Sequence, residues 1–166
     1  MNIFYLSDHP HLCAEFHCDK HISKMIVETA QMLSTAHHEL DGEKAVTGIY
    51  KSTHKNHPSN VWVRENYGNY QYTWELLYHL LEQYKIRYKK THATHRLLDP
   101  LSIRPKNISG MPVPTEPPQC MPDKYKVEGD SIQAYRNYYM GEKAYFAKWN
   151  YTTPPNWWQP EEIING

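Results

Sequence analysis

The stretch from Asp19 to Leu40, DKHISKMIVETAQMLSTAHHEL, decides the fold of this chain. Apolar residues recur in it at steps of three and four, a spacing that places them on one face of an α-helix. The residues on that face are Ile22, Met25, Ile26, Thr29, Leu33 and Ala36. Gly42 is expected to end the helix, because glycine accepts the backbone conformation found at helix C-termini. The stretch therefore predicts one long helix with a buried face.

Further helices are predicted on both sides of this stretch. Upstream, Asp8 and Pro10 indicate a first helix from about His9, since proline suits a first helical turn. Downstream, Asn56-His57-Pro58 opens a second long helix, which Gly68 is expected to bend. The buried seam of this second helix consists of Tyr70, Trp74, Leu77, Leu81, Tyr84 and Tyr88.

A loop, a last helix and a tail complete the predicted organisation. Residues 99–122 contain seven of the 12 prolines, and each proline restricts the residue before it, so we expect a long ordered loop. Asp130-Ser-Ile-Gln133 has the form of a capping box and predicts a last helix running toward Trp149. The tail, residues 149–166, is expected to dock its aromatic side chains onto the body. Without a strong period-two pattern, the predicted fold is all-α, with residues 1–166 as a single helical domain.

The composition limits the classes of function and location. Lysine and arginine total 18, as do aspartate and glutamate, so any binding of DNA must come from a local patch. The 11 histidines and 14 tyrosines suit hydrogen-bonding surfaces and base stacking. No run approaches the ~18 apolar residues of a membrane span, and the start lacks the features of a secretion signal. Three cysteines match no usual zinc spacing. We expect a cytoplasmic protein with reduced thiols and no membrane partner.

One polar stripe of the long helix carries residues suited to chemistry. His17, His21, Lys24, Glu28 and Thr35 fall within about 60° of one another at 100° per residue, with Gln31 at the border. Nearby cations would keep Glu28 ionised, so it could face a developing positive charge as an acid/base or iminium-stabilising group. The alternative is a solvated helix face with ion pairs between successive turns.

Two further clusters are rich in basic residues. Lys51-Ser-Thr-His54-Lys55-Asn56-His57-Pro58 precedes a helix N-terminus, where backbone N–H groups favour a phosphate, and Arg64 lies two turns into that helix. The alternative is a helix cap with a few loop histidines. Residues 84–96, YKIRYKKTHATHR, interleave bases with aromatics, which fits nucleic-acid contact but is also typical of an amphipathic helix end.

A metal site is the main alternative chemistry. Cys13, His17 and His21 are spaced at i, i+4 and i+8, and His37, His38, His54 and His57 could converge with them, so a zinc or iron hydrolase is a rival hypothesis. Against it, Lys20 and Lys24 would place cations beside a dication, and no HExxH or paired CxxC motif is present.

Three segments resemble the pyrimidine dimer DNA glycosylase, or phage endonuclease V-like, family. Residues 16–36, FHCDKHISKMIVETAQMLSTA, carry Asp19, His21, Lys24, Glu28 and Gln31 in the order typical of an early helix of that family. Residues 53–70, THKNHPSNVWVRENYGNY, are similar to bacterial members around His57-Pro58, Trp62 and Arg64. Residues 134–146, AYRNYYMGEKAYF, are similar to the aromatic-basic tail by which a family member contacts DNA.

The resemblance implies a compact all-helical DNA-repair glycosylase and lyase without metal or cofactor. Such enzymes cleave the glycosidic bond of a damaged pyrimidine and then nick the strand by β-elimination. In the family an N-terminal α-amine forms an imine with the sugar, and a glutamate corresponding to Glu28 stabilises the cationic intermediate. An α-amine, with an ordinary pKa of about 8, suits this role better than a lysine near 10.4.

More than one candidate remains for the nucleophile and for the function. The family exposes its second residue after methionine removal, whereas Asn2 is bulky for that processing, so the α-amine of Met1, Lys24 or Lys20 would have to serve. The partner is expected to be duplex DNA with a damaged or modified pyrimidine, bound along a face joining Lys51, Lys55, Arg64, Arg136 and Lys143. His54, Asn56, His57, Tyr138 and Tyr139 complete the predicted DNA-binding set, and His21 joins Glu28 and the amine as a catalytic candidate. A non-catalytic binding protein of the same fold is the third hypothesis.

Overall fold

The structure, a computed structural model, describes residues 1–160. The described residues form helices and loops without a strand, which confirms the predicted all-α fold. The α-helices are α1 (Pro10–Phe16), α2 (Asp19–Asp41), α3 (Pro58–Glu65), α4 (Tyr67–Tyr88), α5 (Leu98–Ser102) and α6 (Ser131–Glu142). Short 3₁₀ turns lie at Gly42–Lys44, Ala93–Leu97 and Asp123–Tyr125.

Helix α2 occupies the centre of the fold, as its periodicity predicts. It packs against α3 and α4, and α1 packs against α4. All six residues of the predicted apolar face are buried, and Gly42 adopts a positive φ of 54° at the C-cap. The burial of this face against two helices positions the polar residues of α2 on the remaining side.

The second long helix is two helices, which corrects the prediction of one helix bent at Gly68. The break lies at Asn66, whose backbone is extended and whose side chain caps α4 by accepting the N–H groups of Gly68 and Asn69. Gly68 has a different role, since a Cβ at this position would collide with the backbone of Val113. The glycine therefore permits the proline-rich loop to pass directly over the start of α4.

The proline-rich loop is held by hydrogen bonds to α4, and its irregular part begins later than residue 99. Residues 99–102 belong to α5, so the irregular part starts at Ile103. Gly68 donates its N–H to the carbonyl of Met111, and Asn69 accepts the N–H of Thr115. These bonds fix the loop along the body of the domain.

The C-terminal segment returns to the start of α2. Helix α6 is capped by Asp130, as predicted, but ends at Glu142 and does not continue toward Trp149. Trp149 is buried, and Trp157 and Trp158 pack on the core, in agreement with the predicted docking of the tail. Residues 161–166 of the predicted tail lie outside the described residues.

The length and apolar character of the helices decide whether any of them could span a membrane. Among residues 1–160, none of the helices has the length and apolar character needed to cross a bilayer.

Candidate active site

A cleft of about 250 Å³ lies where the N-terminus, α2, the start of α3 and α6 meet. We refer to it as the amine cleft, because it contains the α-amine of Met1. Its lining residues are Met1, Asn2, Phe4, Lys24, Glu28, His57, Cys120, Tyr138 and Lys143. The cleft thus combines one carboxylate, three amines and one imidazole with two aromatic rings.

The α-amine of Met1 lies 3.4 Å from Oε1 of Glu28. The methionine side chain is only 3% exposed, and its Sδ accepts a hydrogen bond of 3.0 Å from Nδ2 of Asn60. That amide is itself fixed, since it also donates to the carbonyls of Thr53 and His54. Burial of the side chain therefore holds the amine at one place in the cleft.

Asn2 anchors the N-terminal segment from the other side. Its Nδ2 donates to the carbonyl of Cys120 at 2.9 Å, and its Oδ1 accepts the hydroxyl of Tyr135 at 3.0 Å. The hydroxyl of Ser59 donates to the same oxygen at 3.4 Å. Three distant parts of the chain thus fix Asn2, the residue next to the amine. Its side chain, which is bulky for the family's removal of methionine, holds the N-terminal segment in place.

Glu28 is prepared to interact with a cation. The side chain is 17% exposed, Oε1 faces the amine, and Oε2 is buried without a hydrogen-bond partner. A buried carboxylate oxygen without a partner is costly in a folded protein, and such groups are often functional. The arrangement leaves Glu28 able to stabilise positive charge that develops on the amine nitrogen or on a carbon bonded to it.

Two lysines and an aromatic ring form another side of the cleft. Nζ of Lys143 lies 5.0 Å from the centre of the Tyr138 ring and 5.8 Å from that of Phe4. Burial, followed by the charge of Lys24, lowers the pKa of Lys143. Lys24 is exposed on α2 one turn before Glu28. A partly desolvated lysine with a second cation beside it favours an anionic ligand.

The polar stripe predicted on α2 comes together only in part. Lys24 and Glu28 reach the amine cleft, whereas Thr35 is buried and bonds to the backbone of Thr53. His17 is the C-cap of α1 and precedes α2, so the predicted stripe was wrong at that position.

His21, predicted as catalytic, lies behind the amine cleft. Its ring is buried against Phe4, with 4.7 Å between ring centres, and it also contacts Tyr139 and Phe146. Burial lowers the pKa of His21 to about 2, and the proximity of His17 and the positive charges of nearby lysines act in the same direction. The residue is thus a neutral part of the wall that supports Phe4.

The predicted DNA-binding residues fall into two groups. Tyr138, Lys143 and His57 line the amine cleft, and the loop residues Lys51, His54, Lys55 and Asn56 are exposed. Lys55 lies 3.8 Å from Glu39, while Nη1 of Arg64 is buried without a partner. The exposed loop is available to a ligand, but its lysines are separate from those of the cleft.

Two of the predicted DNA contacts need correction. Tyr139 is 0% exposed, and its hydroxyl bonds to the N–H and Sγ of Cys18, so it belongs to the core. The guanidinium of Arg136 donates to the carbonyl of Leu6 and packs over the rings of Phe16 and Trp157. The amphipathic character of α6 places these residues inward, an outcome that an aromatic-basic composition alone does not reveal.

Several of the histidines considered for a metal site are held by other groups. His17 donates Nδ1–H to the carbonyl of Cys13, His37 bonds to Tyr70, and His38 bonds to the carbonyl of Tyr50. Within residues 1–160, no three side chains of histidine, cysteine, aspartate or glutamate group in a way that could hold a metal ion. The convergence suggested by the sequence spacing is therefore not present in this part of the chain.

Asn2, Phe4 and Cys120 are cleft residues that the sequence reasoning missed. Asn2 and Cys120 are 118 residues apart, and Cys120 lies in the proline-rich loop. The apolar character of residues 2–6 is the one sequence signal that could have indicated that the N-terminus packs on the core.

No family model, curated protein or solved structure matches this chain. The resemblance to pyrimidine dimer DNA glycosylases stays a prediction.

Proposed function

We propose that this chain is a DNA glycosylase and abasic-site lyase that acts on a damaged or modified pyrimidine in duplex DNA. Its nucleophile is the α-amine of Met1, and the reaction passes through an imine. The single observation that supports this proposal is the distance of 3.4 Å between that amine and the carboxylate of Glu28 in an accessible cleft.

In the first stage, the amine of the protein replaces the base at C1′ of the sugar. The neutral amine of Met1 attacks C1′, the N–C1′ bond forms, and the glycosidic bond breaks with its electron pair leaving on the base. The base takes up a proton. The amine nitrogen loses one of its two protons as the sugar ring opens, and O4′ is protonated, which gives an iminium at C1′ that keeps the second proton. Glu28 faces this cation and lowers its energy by electrostatic stabilisation.

The second stage breaks the strand. The iminium acidifies the C2′ proton, a base removes it, and the C3′–O bond breaks with the 3′ phosphate as the leaving group. Water then hydrolyses the imine, which releases an unsaturated aldehyde and restores the amine. No metal or redox step is needed in this sequence.

The lysines of the cleft favour a phosphate-bearing substrate. Lys24 and Lys143 lie beside Glu28 and the amine, so an anionic sugar-phosphate placed at the amine would meet two cations. Because the whole molecule has no net charge, this local patch is the part that would draw DNA to the site. The proposed location is the cytoplasm, where the free thiols of Cys13, Cys18 and Cys120 stay reduced.

Borohydride trapping tests the proposal. Duplexes containing a thymine dimer, a modified pyrimidine, an abasic site or no lesion are each incubated with the protein and the reductant. We expect a covalent adduct with the abasic duplex and with at least one base lesion, and none with the undamaged duplex. Failure to trap any adduct with the abasic duplex would contradict the imine chemistry. An adduct with the abasic duplex alone would retain the lyase and remove the glycosylase step.

A further inference from the structure

His57 is a titratable residue of the cleft to which the mechanism above gives no role. It precedes α3 as its N-cap, and its ring lines the amine cleft together with Met1 and Glu28. The charged or titratable groups that act on the ring are the Met1 amine, His54 and Glu28. Its two ring nitrogens therefore face different surroundings.

The helix cap fixes the role of one nitrogen. Nδ1 of His57 accepts the backbone N–H of Ser59 at 3.1 Å. A backbone N–H can only donate, so Nδ1 must carry a lone pair, and the proton of the neutral ring must be on Nε2. Protonation of Nδ1 would break the cap and add a positive charge near the Met1 amine. Burial and that amine also lower the pKa of His57.

This tautomer excludes one role and permits another. A ring whose Nε2 carries a proton while Nδ1 is occupied cannot accept a proton from C2′ as a general base. It can donate a directional hydrogen bond without adding charge. Lys24 and Lys143 are the cleft's partners for a phosphate, so a neutral donor suits a neutral oxygen.

We propose that His57 is a substrate-binding residue whose Nε2–H donates a hydrogen bond to a neutral oxygen of the reacting deoxyribose, its ring oxygen or hydroxyl. The inference rests on the proposed function, since it takes an abasic sugar as the group held at the amine. The hydrogen bond orients C1′ toward the Met1 nitrogen, and the N-cap bond orients the ring.

The chain offers a matched control for this role. His92 is also an N-cap residue, and its Nδ1 accepts the N–H of Thr94 at 3.0 Å, but it packs against Tyr84 and does not line the amine cleft. Asparagine is a good N-cap residue that is too short to reach into the cleft. His57→Asn and His92→Asn therefore make the same change to a helix cap, and only His57→Asn removes a donor from the cleft.

The test measures single-turnover borohydride trapping on abasic duplex at saturating protein, with thermal unfolding of each variant. We expect His57→Asn to slow trapping about tenfold, the size of one hydrogen bond, while His92→Asn traps at the wild-type rate. The salt dependence of binding should be unchanged, because no phosphate contact is lost. His57→Gln, which retains an N–H donor, should recover part of the rate.

Other outcomes overturn the inference. Equal trapping rates for wild type, His57→Asn and His92→Asn remove the role of His57 while leaving the proposed function in place. Equal losses in His57→Asn and His57→Gln, or a reduced salt dependence, would also contradict it. A wild-type protein that forms no adduct overturns the proposed function and this role together.

Discussion

Arg87 and Asp19 form an ion pair of 3.2 Å in which the arginine side chain is completely buried. The guanidinium also donates to the carbonyls of Glu15 and His17, and the second oxygen of Asp19 accepts the N–H of Asn150. One pair thus joins the end of α1, the start of α2, helix α4 and the C-terminal segment. Because α2 carries Lys24 and Glu28, this pair helps to position two of the residues that line the amine cleft.

We expect Asp19→Asn to destabilise the protein by roughly 3–5 kcal/mol, since it leaves the buried charge of Arg87 without its counterion. Urea unfolding measures the free-energy change. The control is Lys126→Met, which breaks the exposed pair with Asp123 and should cost less than about 1 kcal/mol. Similar small changes in both variants would show that the Arg87–Asp19 pair does not organise the fold.

Glu28→Gln is expected to lower trapping on abasic duplex by roughly 100-fold or more, because it removes the charge that stabilises the iminium. The side chain keeps its size, so the melting temperature should change by less than about 4 °C. The control is Glu39→Gln. Glu39 lies on α2, as Glu28 does, but pairs with Lys55 outside the cleft, so this variant should trap normally. Full activity in a folded Glu28→Gln protein would remove Glu28 from the mechanism.

Lys24→Ala and Lys143→Ala should each weaken binding to duplex DNA and reduce the slope of log affinity against log salt by about 1, the effect of one lost phosphate contact. Affinity is measured by fluorescence anisotropy across a range of salt concentrations. Lys44→Ala, in the exposed 3₁₀ turn after α2 and not among the cleft residues, should leave the slope unchanged. If all three variants bind alike, the cleft lysines do not contact phosphate.

The free energy of unfolding is expected to fall as the pH drops from about 6.5 to 4, because buried His17 stays neutral in the folded chain. Burial lowers the pKa of His17 to about 4, so the unfolded chain, with an ordinary value near 6.5, binds more protons in this window. By pH 4, this difference in proton binding at His17 lowers the free energy of unfolding by on the order of 3 kcal/mol. His17→Gln should reduce the slope of this pH dependence, to which buried His21 also contributes, and the exposed His11→Gln should not. An unchanged slope in His17→Gln would contradict this assignment.

The sequence predicts the helices better than their junctions. The apolar spacing of α2 needs no tertiary information, and Asp130 caps α6 through a local bond to the N–H of Gln133. The break at Asn66 depends on the proline-rich loop, because Ser109 and Met111 accept the N–H groups of Tyr67 and Gly68. Such long-range bonds leave no periodic signal in the sequence.

The candidate site shows the same division. Lys24 and Glu28 could be found because they share a helix face, and His57 because it stands before a proline. Asn2 could not be found, since its partners Cys120 and Tyr135 are distant in sequence. The prediction that Tyr139 contacts DNA was wrong. A tyrosine in a basic, aromatic segment suits a DNA-binding surface and a core equally well, and only the packing of its helix decides between them.

The point of attachment in the trapped complex tests the central claim most directly. The borohydride-reduced adduct with abasic duplex is digested with nuclease and protease, and the peptide that carries the sugar remnant is identified by mass spectrometry. We predict that the remnant is on the α-nitrogen of Met1, in a peptide that begins with that residue. A remnant on Lys24, Lys20 or any other side chain would contradict the account.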